Sequence, residues 1–355
     1  MPRIASAREG EFSSTRVSPS RINSYVTCGE AFRRYYIEDE PKLRSGSSAL
    51  FGQVVHLAME KWTPDRSQDL LGLMRAAWTE RTADTVVAEF LAEYASLSVE
   101  AIKQEHKIRE AWKAKGKESK APRMTKEWKE SAIGKKLRAL MPKWEKRLNE
   151  GSPWEFNEYD PLPALYDESL VMSRRIQARL GSLPNTLYTE FEAEEDWRGF
   201  QLKGYIDAIE PLLSGSGELV GIGVLDYKTY RKSPFPELEG DVDGDGAELK
   251  DYRQLVMYDV VIASMVDRGA LSLPTGIPVF VGVDYLRTGE RRWWRMGEGD
   301  HERLFHELSM YRRGIESKVF LPANKSSNPN YCDYGETCCL RRADPGLAQR
   351  VVIPS

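Results

Sequence analysis

Two short apolar phrases, each carrying one aspartate, constrain the fold more than any other part of the chain. They are GYIDAIE (Gly204–Glu210) and VLDYKTY (Val224–Tyr230). Both are rich in β-branched and aromatic residues and are bounded by glycine or acidic turns, which predicts two neighbouring β-strands. Alternate residues of a strand share a face, so Asp226 and Lys228 point one way and Tyr227 the other. With Asp207 on the adjoining strand, two carboxylates and an amine gather on one sheet face. Such a set suits a hard divalent cation and a water attacking a phosphate.

The rest of the chain is read outward from these strands. At 355 residues it can bury one large core or two smaller ones. Residues 1–17 are polar and without period, which predicts a disordered start. Ser18-Pro19 reads as an N-cap with proline in the first turn, opening a helix to Tyr36 with Ile22, Tyr25, Val26, Phe32 and Tyr36 as its apolar stripe. FGQVVHLAMEKW (Phe51–Trp62) is a second helix, with His56 and Glu60 four apart on one face. A helical stretch follows to about Leu180, with breaks expected at Pro122, Pro142, Gly151–Pro153 and Pro161–Pro163. LYTEFEAEEDW is a further strand before the two acidic ones. DYRQLVMYDVVIASMV then reads as a helix, IPVFVGVDYLRTGERRWWRM as a strand pair turning near Thr288-Gly289, and Asp300 as the cap of a last helix. DVDGDG (Asp241–Gly246) imitates a calcium loop, but the twelfth position, where a bidentate Glu is needed, is Tyr252. An acidic surface turn is expected instead.

Charge is unevenly spread. The whole chain carries 51 basic and 54 acidic residues, yet residues 101–150 hold 16 Lys+Arg against 7 Asp+Glu. Such segregation suits a polyanion met by one part only. Trp112, Trp128 and Trp144 recur in this basic part, each beside a lysine. Core anchoring is the favoured reading of the tryptophans, while the lysines suit contact with nucleic acid. MPRIASAREGEFSS has no apolar h-region and no run approaches a membrane span, so a cytoplasmic protein with no membrane partner is expected; composition and compact size fit a bacterial or phage-infected cell as its place.

In this order the motifs resemble the RecB-type branch of the PD-(D/E)xK nuclease superfamily. SPSRINSYVTCGEAFRRYY (Ser18–Tyr36) is similar to its opening helix, FGQVVH to the helix with the motif histidine, GYID and LDYK to the acidic strands, and Gln254 with Tyr258 to the QxxxY helix. The resemblance implies an α/β (α+β) fold: a restriction-endonuclease-like αβββαβ core with a mixed sheet and a large helical insertion. It divides the chain into N-terminal core helices at 18–64, a basic insertion at 65–180, core sheet and helices at 181–320, and a cysteine-bearing tail at 321–355 packing near the N-terminal helix. It also implies roles. His56, Asp207 and Asp226, with the carbonyl of Tyr227, would ligate Mg2+ or Mn2+. Lys228 would orient or deprotonate the attacking water. Glu190 or Glu192 would assist, the two lying on one strand face, and Gln254 and Tyr258 would position the lysine or the DNA backbone.

Several members of the family that the chain resembles hold a [4Fe-4S] cluster through one early and three late cysteines, the last three often spaced C-x2-C-x5-C. Cys28 and the pair Cys332–Cys338 fit that pattern. The remaining position falls on Pro329, and Cys339 stands beside Cys338 instead; zinc or free thiols are the alternatives. The implied activity is a metal-dependent DNA nuclease, an exonuclease of replication, recombination or repair, working alone or beside other proteins of those processes. The competing function is a non-catalytic DNA-binding or assembly subunit that keeps the fold. No GxxxxGK[ST] phosphate loop occurs, so no motor is recognised in the chain.

Overall fold

The computed structural model describes residues 13–40, 45–83, 85–113, 130–156, 162–230 and 247–321. Six strands form one mixed sheet. Strand β1 (Arg16–Val17) pairs parallel with β5 (Phe200–Leu213), which pairs antiparallel with β4 (Tyr188–Trp197) and with β6 (Leu219–Lys228). Beyond β6 lie β7 (Val279–Tyr285), parallel to it, and β8 (Glu290–Trp294), antiparallel to β7. A two-residue pair, β2 (Ser45–Gly46) with β3 (Trp154–Glu155), stands apart.

Helices cover both faces. On one side, α3 (Ser47–Trp62), α4 (Leu70–Thr82), α5 (Val86–Lys113), α6 (Ala132–Gly151) and α7 (Leu162–Leu180) supply a core with Trp62, Trp78 and Phe90, closed by Leu225 and Tyr227 of β6. On the other, α1 (Pro19–Thr27), α8 (Ala247–Asp267) and α9 (Glu298–Glu316) pack on Ile222 and Val224 of the same strand. Alternation along β6 therefore places Asp226 and Lys228 on the α8 face and Tyr227 on the α3 face, as the sequence predicts. The order α3, β4, β5, β6, α8, β7 is the αβββαβ core, with α4–α7 between its first helix and first strand. No helix among the described residues is long and apolar enough to cross a membrane.

The structure amends several sequence expectations. The polar start is not structureless to residue 17, because Arg16 and Val17 pair with Gln201 and Leu202. Ser18 does cap α1, its side chain accepting from the Arg21 amide at 3.3 Å. That helix stops at Cys28, whose backbone is extended, and restarts as α2 (Gly29–Phe32), which widens into a π-turn over Arg33–Ile37. The apolar stripe gives no hint of the break. Its cause lies far away in sequence: the Gly29 amide donates to the Leu321 carbonyl at 2.7 Å, and a Cβ on Gly29 would meet that backbone at 2.8 Å. Pro142 does not break the chain but lies within α6. Asp300 is not the N-cap of α9; it sits in the first turn, and its carboxylate accepts from the amide of the true cap, Gly297, at 2.7 Å. Trp144 is a core anchor, edge-on to Phe90 and bonded through Nε1 to Glu93 at 2.8 Å. Trp128, the acidic turn at 241–246 and the three late cysteines lie outside the described residues.

Candidate active site

The site forms where β5 and β6 part. Their ladder ends at Ala208↔Leu225, and the start of β5 pairs with β1 instead. On the other edge of β5 the ladder with β4 skips the position where Glu190 faces Asp207. Asp207 thus has no ladder partner on either side, and main-chain groups around it need other ones. Side chains provide them. The Tyr227 amide donates to Asp207 Oδ2 at 2.6 Å, and the Tyr258 hydroxyl donates to the Tyr205 carbonyl at 2.6 Å. Gly204 makes room for that hydroxyl, since a Cβ there would lie 2.7 Å from the Tyr258 ring.

Three donors converge at this gap. His56 Nδ1 stands 3.1 Å from Asp207 Oδ1, and ligand atoms of His56, Glu190 and Asp207 all lie within 4.8 Å of one another. His56 rides on α3 over the edge of the buried Tyr227 ring, with centroids 6.4 Å apart. Helical spacing offers it Glu60 and the resemblance offers it Asp207; the fold brings it to Asp207. Glu190 reaches the cluster through a left-handed backbone, φ 46°, which costs on the order of 1–2 kcal/mol for a residue with a Cβ. Glu192, two residues on, is exposed and paired with Lys203. Of the two glutamates that the sequence leaves open, the structure brings Glu190 beside His56 and Asp207 and leaves Glu192 on Lys203. Burial pulls the His56 ring down, but the Asp207 carboxylate, with Asp226 and Glu190 behind it, outweighs burial and raises it to about 9. Burial, and then the charge of Asp207, push Glu190 up to about 7.

Asp226 belongs to a second, adjoining network on the α8 face. Its Oδ1 accepts from Gln254 Nε2 at 2.6 Å, and its Oδ2 lies 2.8 Å from Lys228 Nζ. Gln254 also donates to the Tyr258 hydroxyl at 2.8 Å and accepts from Lys228 through Oε1 at 3.1 Å. Gln254 and Tyr258 are four apart on α8 and so share a face, as the QxxxY spacing implies. Burial raises the Asp226 carboxyl despite the lysine beside it. Burial lowers Lys228, but the carboxylates of Asp226 and Asp251 overcome this and hold it protonated well above its ordinary range. Asp251, 2% exposed, stands 3.3 Å from the ammonium. The QxxxY spacing does not include it, although it lies three residues before Gln254 on the same helical face. The Tyr227 ring, as predicted, turns to the opposite side of the sheet.

Cys28 stands apart from this centre. Its thiol accepts from the Ala31 amide at 3.4 Å and caps α2. The chain returns close to it at Leu321, the last described residue.

The sequence matches the PD-(D/E)XK nuclease superfamily over residues 16–339. The chain belongs to this superfamily. The matched span includes β5 with Asp207 and β6 with Asp226 and Lys228. Among solved structures, one from Eubacterium rectale, described only provisionally as an exonuclease, is similar at 9% identity and a TM-score of 0.42, covering 93% of this chain and 88% of that one. Comparison with curated proteins gives no match.

The donor set fits a divalent cation. Two carboxylates and one imidazole converge, and Asp226 Oδ2 beside them is buried without a hydrogen bond of good geometry among the described residues. Oxygen donors suit magnesium, and the imidazole moves the preference towards manganese.

Proposed function

We propose that this member of the nuclease superfamily is a divalent-cation-dependent deoxyribonuclease that degrades DNA from its ends. The observation that carries the reading is the convergence of His56, Glu190 and Asp207 against the Asp226–Lys228–Gln254–Tyr258 network. His56, Glu190, Asp207 and Asp226, with the Tyr227 carbonyl, would hold Mg2+ or Mn2+, which when bound supplies charge neutralisation at a phosphate and a water of lowered pKa. The residues around it have separable tasks. Lys228, held as an ammonium beside Asp226 and Asp251, suits orienting the water and stabilising charge on the phosphate. Gln254 bridges Asp226 and Lys228 and fixes their separation. Tyr258 ties that bridge to the backbone of β5.

That the substrate is DNA, and that attack begins at ends, rests on the resemblance of the motif set to the RecB-type branch. The basic excess over 101–150 supports contact with a polyanion. A binding subunit without catalysis has no need of this complete network, which is why hydrolysis is preferred. A [4Fe-4S] cluster through Cys28, Cys332, Cys338 and Cys339 belongs to the same reading, supported by the return of the chain towards Cys28. The visible absorption and iron content of anaerobically purified protein test it.

The deciding experiment incubates end-labelled linear and closed circular DNA with Mg2+, Mn2+ or EDTA, comparing wild type with Asp226→Ala and Lys228→Ala. Expected are degradation of the linear substrate only, abolition by EDTA, and loss of at least about a hundredfold in either variant. Equal activity in all three proteins would sink the site; cutting of closed circles would replace exonuclease by endonuclease.

A further inference from the structure

The Lys228 ammonium donates to Gln254 Oε1 at 3.1 Å and is ion-paired with two carboxylates, Asp226 Oδ2 at 2.8 Å and Asp251 Oδ1 at 3.3 Å. These three neighbours are not equivalent. Asp226 borders the donor cluster of His56, Glu190 and Asp207, and a cation there would draw on its charge. Gln254 is a neutral group whose amide nitrogen is already shared between Asp226 and Tyr258. Asp251 is the remaining anion, outside the donor cluster, nearly fully buried and carried by the same rigid helix as Gln254, one turn earlier. A lysine side chain has four rotatable bonds and loses up to about 2 kcal/mol of conformational freedom when fixed, so a permanent anchor has a clear use.

We propose that Asp251 is a positioning residue that anchors the Lys228 ammonium on the site face of β6, so that the ammonium keeps its place when Asp226 is drawn towards a cation. The motif on α8 is then Asp251, Gln254 and Tyr258, a stripe of three polar residues on one helical face that sets the lysine, the aspartate and the β5 backbone in turn. Asp251 touches neither substrate nor cation and acts through Lys228. This inference rests on the nuclease reading for its rate effect but not for its structural effect.

Both effects are measurable on the full chain. Lysine-ammonium 1H–15N spectra, recorded without and with Mg2+, report the hold on Lys228, with Lys228→Arg giving the assignment. Steady-state cleavage of linear DNA reports the consequence. For Asp251→Ala the Lys228 signal should be lost to fast exchange and kcat should fall on the order of a hundredfold, the scale of a misplaced catalytic group. KM should stay within about twofold, because the lost interaction is not one of ground-state binding. Asp251→Asn keeps an oxygen acceptor and should retain the signal and most of the rate. If Asp251→Ala does not fold, Asp251→Ser, whose hydroxyl is too short to reach the ammonium, carries the same readouts. An unchanged Lys228 signal in the alanine or serine variant overturns the proposal, as does a KM rise at constant kcat or an equal loss in Asp251→Asn. Wild-type protein with a protected Lys228 signal but no cleavage would instead remove the nuclease reading and leave the anchor standing.

Discussion

Two of the three clustered donors, His56 and Glu190, hold protons near neutral pH in the metal-free chain, with pKa values raised to about 9 and about 7. A cation needs the imidazole neutral and the carboxylate ionised, so protons and metal compete. The sign follows. Below pH 7 both groups are protonated and affinity for the cation is weakest; it should climb through pH 7 to 9 and then level off. Calorimetry of Mn2+ binding in buffers of different ionisation enthalpy should show release of between about one and two protons at neutral pH. A pH-independent affinity would falsify the assignment of His56 and Glu190 as donors. At this scale much of the site is legible in the sequence, because Asp226 with Lys228 obeys the two-residue period of a strand and Gln254 with Tyr258 the four-residue step of a helix. Glu190 could not be separated from Glu192, since the choice depends on a left-handed backbone at residue 190 that no side-chain pattern announces.

Among the elements, the glycines of GYID and FGQVVH do different jobs. Gly204 faces the Tyr258 ring at a distance no Cβ tolerates, whereas a Cβ on Gly52, mid-helix in α3, would meet only Thr229 Oγ1 at 3.6 Å. Gly204→Ala should therefore cost about 1–3 kcal/mol by overpacking, and it should weaken cleavage by displacing Tyr258. Gly52→Ala should be neutral or stabilising by up to about 1 kcal/mol, the helix-propensity gain. Urea melts of the two variants check this, and equal stability would refute it. The strands and the core helices are readable from periodicity because each packs one face. The break at Cys28 is not, because it answers to the backbone of Leu321, about three hundred residues later, and tertiary contacts of that reach leave no local trace.

For the whole molecule, the sheet divides two cores, and the α4–α7 side is joined to it by buried charge. Glu210 of β5 accepts from Arg66, which follows α3, and from Arg291 of β8 at 2.8 Å; Asp284 of β7 accepts from Arg291 at 2.7 Å and from Arg179 of α7 at 2.5 Å. Arg66 and Glu210 are 3% and 4% exposed, so neither can fall back on water. Glu210→Ala should cost about 3–5 kcal/mol by leaving the buried Arg66 guanidinium without a carboxylate, seen as a lower urea midpoint; a loss under about 1 kcal/mol would mean that the network is not dry. The parting of β5 from β6 has a practical consequence for trapping the protein on its substrate. Asp207 closes the hydrogen-bond gap that the parting leaves, so removing its side chain strips an acceptor from the buried Tyr227 amide, at about 1–3 kcal/mol. An inactive form meant for capturing a bound complex should therefore carry Asp207→Asn, which keeps an oxygen for that amide, so that loss of chemistry is not mistaken for loss of fold.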